Sequence, residues 1–130
     1  MRTLALLCFL LLGACSDFTG SGELPLDFDR VPLPDAVTAE GGVREIVITG
    51  FLETLDCHAH EVERALLDDD GVTLRLEYTD EDGDCATTFI ARGYRARIRG
   101  LDAGTYRVAV EYVGDVMGPP LNREVAVRSG

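Results

Sequence analysis

Residues 93–112 read GYRARIRGLDAGTYRVAVEY. Tyr94, Ala96 and Ile98 alternate with Arg95, Arg97 and Arg99, and after LDAG the pattern resumes with Tyr106, Val108, Val110 and Tyr112 against Arg107, Ala109 and Glu111. A period of two marks strands, because successive side chains of an extended chain point to opposite sides. Two such runs joined by a short Asp- and Gly-containing connection form either an antiparallel pair or a corner between two sheets. In both cases one face is apolar and needs a second sheet against it.

Working outward, the same reading predicts strands over 43–50, 60–67, 72–78, 85–91, 94–99, 105–112 and 122–128. The clearest is 72–78, where Val72, Leu74, Leu76 and Tyr78 face inward while Thr73, Arg75 and Glu77 face outward. Asp70-Gly71 suits a tight primed hairpin turn between two of these strands. Gly93 is expected to bend the chain between two others, as glycine inside a strand pattern often does. About seven short strands predict an all-β fold, a single antiparallel sandwich over 43–130. A chain of this size buries roughly two thirds of its unfolded surface, so one core is enough.

The segment GLDAGTY, residues 100–106, resembles the corner of immunoglobulin-like and fibronectin-III-like domains, in which a Tyr near the start of a strand hydrogen-bonds back to the corner backbone. The resemblance covers about the last two thirds of the chain and assigns that role to Tyr106. The chain lacks Trp altogether and has no Cys on the corresponding strand. An antibody-type domain is therefore disfavoured, and a looser immunoglobulin-like sandwich is expected.

The N-terminus has a different character. Met1-Arg2-Thr3 supplies a positive start, 4–12 is an apolar run too short to span a bilayer, and Gly13-Ala14 supplies small residues before Cys15. This is a secretory signal, and Leu12-Gly13-Ala14-Cys15 resembles the lipobox of bacterial lipoproteins. The resemblance implies cleavage after residue 14 and lipidation of Cys15, so that the membrane becomes a partner through several acyl chains, each contributing about 0.8 kcal/mol per buried CH₂. By resemblance to Gram-negative sorting, Ser16 after the lipidated Cys points to the outer membrane. The other reading is an ordinary secreted protein. Residues 15–42 hold the lipidated Cys and, with Pro25, Pro32 and Pro34 among Gly and acidic residues, read as a flexible tether reaching on the order of 30 Å. Phe18, Leu24, Leu26 and Phe28 leave open that part of it lies along the domain.

Four cysteines are then accounted for. Cys8 leaves with the signal, Cys15 carries lipid, and Cys57 and Cys85 remain as one pair in an oxidising compartment. A disulfide is expected there, contributing about 3.6 kcal/mol on the chain-entropy argument; a metal–thiolate pair is the competing reading. The net charge of −11 excludes nonspecific attraction to nucleic acid as the main activity.

Several clusters invite a binding role. Asp80, Asp82 and Asp84 alternate as calcium ligands do, but the glycine is misplaced for an EF-hand loop and the bidentate Glu is missing. Asp68-Asp69-Asp70 builds a polar turn. His58 and His60 would share one strand face and reach a single Zn²⁺ with Asp56, although ordinary surface imidazoles are the simpler reading. Arg95, Arg97, Arg99 and Arg107 form either an anion-binding stripe or, as favoured, a solvated face paired with Glu77, Glu111 and other carboxylates. Residues 113–121, VGDVMGPPL, form the least polar loop, in which Val116 and Met117 either face a partner or fold back over the end of the core.

Serine occurs only at Ser16, Ser21 and Ser129, and lysine is absent. With the domain cysteines bonded, the usual nucleophiles are missing, and neither a phosphate-binding glycine loop nor a zinc-protease motif is present. The sequence thus predicts a lipid-anchored, noncatalytic envelope module without a cofactor, structural or binding an unknown protein partner. The alternatives are a small-ligand or divalent-metal-binding lipoprotein, and an inhibitor of a hydrolase or protease.

Overall fold

A computed structural model describes residues 22–55, 60–79 and 88–130. Among them run ten strands: β1 (Gly22–Leu24), β2 (Leu26–Val31), β3 (Thr38–Gly41), β4 (Glu45–Leu55), β5 (His60–Asp68), β6 (Gly71–Thr79), β7 (Phe89–Arg99), β8 (Gly104–Gly114), β9 (Val116–Met117) and β10 (Asn122–Val127). They form two sheets, one ordered β1-β5-β6-β8-β10 and the other β2-β7-β4-β3, with β9 adding to β4. The all-β expectation is met.

The alternation that defines the strands also builds the core. Val72, Leu74, Leu76 and Tyr78 of β6 and Val108 of β8 meet Ile46, Ile48 and Leu52 of β4 and Tyr94, Ala96 and Ile98 of β7, all buried. The LDAG stretch is a corner, since β7 and β8 belong to different sheets. Leu101 is buried at its turn, and the Tyr106 hydroxyl donates to the Asp102 carbonyl at 2.7 Å.

Four expectations are corrected. The segment read as a tether from 15 to 42 contributes β1, β2 and β3 from Gly22 onward, and these strands pair with β5, β7 and β4. Leu26 and Phe28 pack against the core, so the apolar residues of that stretch outweigh its prolines. The sandwich is also not wholly antiparallel: β6 and β8 run parallel, Val72 opposite Val108. The chain crosses to the other sheet through β7 between them, which supplies the long return that parallel neighbours require.

Gly93 does not divide two strands. β7 runs unbroken past it, paired on both sides with Val31 and Phe51. A Cβ there would lie 2.5 Å from the Val31 carbonyl oxygen and 2.6 Å from that of Pro32, so glycine serves close backbone approach. The β5–β6 turn is not primed either. Asp68 pairs with Gly71, so Asp69 and Asp70 are its centre, and the positive φ falls on Gly71. The Asp68 carboxylate accepts from the backbone N–H of Asp70 at 2.8 Å and of Gly71 at 3.1 Å, which holds this ordinary turn.

Candidate functional site

Register fixes two ends of the sandwich. At one end lie Gly22, opposite Leu67, the Asp68–Gly71 turn and the corner after Arg99. At the other, Leu55 pairs with Phe89, His60 with Thr79, and Glu53 with Met117. The chemistry gathers at this second end.

Strand parity puts Glu61 and Glu63 on the inner side of β5, continuing the row of buried Ala65 and half-buried Leu67. On the facing sheet, Arg30 stands opposite Tyr94 at the end of β2, and Arg92 continues the inner row of β7. These four charges, with Phe28, Leu52, Tyr78 and Tyr94, line an inter-sheet cavity of about 160 Å³. Arg92 Nη1 donates to Glu61 Oε1 at 2.6 Å, and Arg30 Nη2 lies 3.8 Å from Glu61 Oε2. Phe28 stacks on Tyr94 with ring centroids 5.2 Å apart and planes 18° from parallel.

The site perturbs its ionisable groups. Burial raises the Glu63 carboxyl above its ordinary value, and the Glu61 charge adds to this, against the Tyr78 hydrogen bond and Arg30, which lower it. Burial likewise raises the Tyr78 hydroxyl, with Glu63 and Glu61 adding to the effect. The Tyr94 hydroxyl is raised by burial and by Tyr112 beside it; it is buried without a hydrogen bond of good geometry, while Tyr112 donates to the Pro119 carbonyl at 2.8 Å.

A raised carboxyl destabilises the fold wherever it is ionised, because the folded state then holds a charge that the unfolded chain holds more cheaply. The cost of Glu63 is therefore present above its folded pKa, shrinks as pH falls through that value, and vanishes below the ordinary 4.5. Glu63→Gln is expected to melt roughly 1–3 °C higher than the parent at pH 7, with the difference gone near pH 4. Calorimetric scans at the two pH values check this, and a lower melting point for the variant at pH 7 would contradict it.

Outside this cavity, the outer side of the β2-β7-β4-β3 sheet changes character along its length. Toward the first end Arg97 lies 3.7 Å from Glu45, and Arg99 lies 3.2 Å from Asp27. Arg95 shares that face, whereas Arg107 lies on β8 of the other sheet, so the four do not form one stripe. Glu77 and Glu111 pair instead with Arg75, at 3.2 and 3.4 Å. Toward the second end the outer face is mainly apolar, with Phe51, Leu55, Phe89 and Met117 around the exposed Glu53; Phe89 is 44% and Met117 50% exposed.

The residues 113–121 are not a free loop. β9 pairs with β4, Asp115 N donates to Tyr78 O at 2.6 Å, and Thr54 Oγ1 donates to Asp115 O at 3.0 Å. Val116 folds back into the core at 6% exposure, as the covering reading expects, while Met117 stays half exposed.

Cys15, Asp56, Cys57, His58, Asp80, Asp82, Asp84 and Cys85 lie outside the described residues. His60 is exposed and pairs with Thr79. Among the described residues no three His, Cys, Asp or Glu side chains gather as a metal site. Protein-family models, curated proteins and solved structures yield no match to this chain.

Arg30, Arg92, Glu61 and Glu63 were not singled out by sequence reasoning. Arg30 sits in the stretch read as tether, and Arg92 precedes the strand expected from residue 94. A signal for the glutamates existed: in the HEVERALL run they share parity with Ala65 and Leu67, which is unusual for a strand face that packs inward.

Proposed function

We propose that this chain is a bacterial lipoprotein, held by lipid on Cys15, whose immunoglobulin-like sandwich acts as a noncatalytic structural or protein-interaction module in the cell envelope, at the outer membrane. The Tyr106–Asp102 bond and the corner between sheets support the immunoglobulin-like reading. A Cys57–Cys85 disulfide belongs to the same proposal.

One observation carries the functional reading: the domain has polarity. β1 begins at Gly22, so only residues 16–21 separate Cys15 from the sheet. Seven residue steps reach at most about 25 Å. The tether is thus shorter than residues 15–42 suggested, and it joins the end that carries the Asp68–Gly71 turn. β4, eleven residues long, gives the sandwich a length of roughly 35 Å. The apolar outer patch and the charged cavity both lie at the far end, turned away from a lipid surface.

Cys15→Ala is expected to leave an unprocessed, unlipidated precursor that no longer partitions with membranes into detergent. In the lipidated parent, a photoreactive residue at Met117 is expected to give protein adducts in intact envelopes, and one at Asp69 to give none. Unchanged fractionation of Cys15→Ala would overturn the anchor, and adducts from Asp69 alone would overturn the orientation.

A further inference from the structure

We propose that the cavity between Glu63 and Arg30 binds a zwitterionic amino compound of the size of a small α-amino acid, with its ammonium at Glu63 and its carboxylate at Arg30. The inference goes beyond the anchoring reading and stands without it.

The charge pattern points to such a ligand. Glu61 and Arg92 close a tight pair at 2.6 Å. That leaves Arg30, a 67% exposed guanidinium at the cavity mouth that lies 3.8 Å from Glu61, beyond hydrogen-bond range, and Glu63, which hydrogen-bonds the neutral Tyr78 hydroxyl and feels the Arg30 charge. These two charges have opposite sign and come from different sheets, Glu63 from β5 and Arg30 from β2. The four charged side chains sum to zero. A simple cation that approaches Glu63 meets the two guanidiniums, and a simple anion that approaches Arg30 meets the two carboxylates. A molecule carrying both charges meets each of these two groups with its opposite.

Size and lining agree with this. A cavity of about 160 Å³ is close to the roughly 150 Å³ that accommodates benzene, which suits six to ten heavy atoms. Phe28, Leu52 and Tyr94 supply an apolar floor for a short aliphatic side chain, and Phe28 stacked on Tyr94 makes that floor rigid. Burial opposes ionisation of Glu63, and a bound ammonium would relieve that cost. With about eight heavy atoms and a partly open site, the dissociation constant should be on the order of 0.1–1 mM.

The test is titration of the full chain in detergent with L-valine, followed by calorimetry or amide chemical shifts, beside N-acetyl-L-valine and L-valinamide, each of which lacks one of the two charges. L-Valine is expected to saturate, and each analogue to bind at least about tenfold more weakly. Glu63→Gln and Arg30→Gln should each reproduce that tenfold loss for L-valine, with shifts confined to β2, β5 and the ends of β6 and β7. Should either variant fold poorly, the two analogues measured on the unaltered chain decide the matter alone. The proposal is overturned if L-valine, L-serine and glycine all fail to saturate by about 10 mM, or if the analogues bind as well as their parent.

Discussion

Gly93→Val is expected to destabilise the domain by about 4 kcal/mol, lowering the thermal midpoint by roughly 10–20 °C. Most core substitutions meet side chains that can rotate away. Here the Cβ itself would sit 2.5 Å from Val31 O and 2.6 Å from Pro32 O, both backbone atoms where the chain leaves β2. Relief requires that this end of β2 lift off β7. That movement would unstack Phe28 from Tyr94 and carry Arg30 out of the cavity, so lost burial adds to the strain. Gly93→Ala should act in the same direction, since the first added carbon makes the collision. Gly22→Ala is the matching control, because a Cβ there meets nothing within 4 Å and should leave the midpoint nearly unchanged. Chemical denaturation of the three variants checks the order, and a Gly93→Val midpoint within a few degrees of the parent would refute the packing argument.

The position of Gly93 also illustrates what the sequence makes legible. Strand β6 could be read outright, because one face is buried and the other wet over nine residues, and the corner after Arg99 was visible in LDAGTY. β1, β2 and β3 were missed for a physical reason. They have three, six and four residues and lie among Pro25, Pro32 and Pro34, too short for a period to register against turn signals. The order of β1 and β2 comes from partners more than 20 residues away, Leu26 opposite Ile98 and Leu24 opposite Ala65. Gly93 looked like a break because a missing side chain reads the same whether the chain bends or another strand presses against it.

The same limit governs the site. Parity alone could have set Glu61 and Glu63 inward, but it could not say that Arg30 and Arg92 would face them, since that depends on which strands oppose each other across the two sheets. The arginines that stood out in sequence, Arg95, Arg97 and Arg99, did so through their regular spacing, and that regularity marks an outer face balanced by Asp27 and Glu45. The two arginines at the cavity interrupt apolar rows. Departures from the pattern marked this cavity better than the pattern did.

Replacing both Cys57 and Cys85 by Ala is expected to cost about 3.6 kcal/mol on the chain-entropy argument, and mass spectrometry of the unreduced parent should find it two hydrogens lighter than the dithiol. The strand ends that flank the two cysteines carry this expectation. Residues 56–59 connect Leu55 of β4 to His60 of β5, and residues 80–88 connect Thr79 of β6 to Phe89 of β7. Leu55 pairs with Phe89, and His60 pairs with Thr79. Both connections therefore cross between the same two sheets at the same end, starting and finishing beside one another. Cys57 is two residues from one shared pair and three from the other, and Cys85 four and six, connection lengths that a bridge between them would span. A bridge there would tie β4 to β7 and β5 to β6 at the end that bears the cavity and the apolar patch. Reduction should accordingly lower the thermal midpoint by roughly 10–20 °C and increase hydrogen exchange first at Leu55, His60, Thr79 and Phe89, well before the corner at Leu101. Two freely alkylated thiols in protein recovered from an oxidising compartment, or a midpoint indifferent to reductant, would show that these strand ends are held by packing alone.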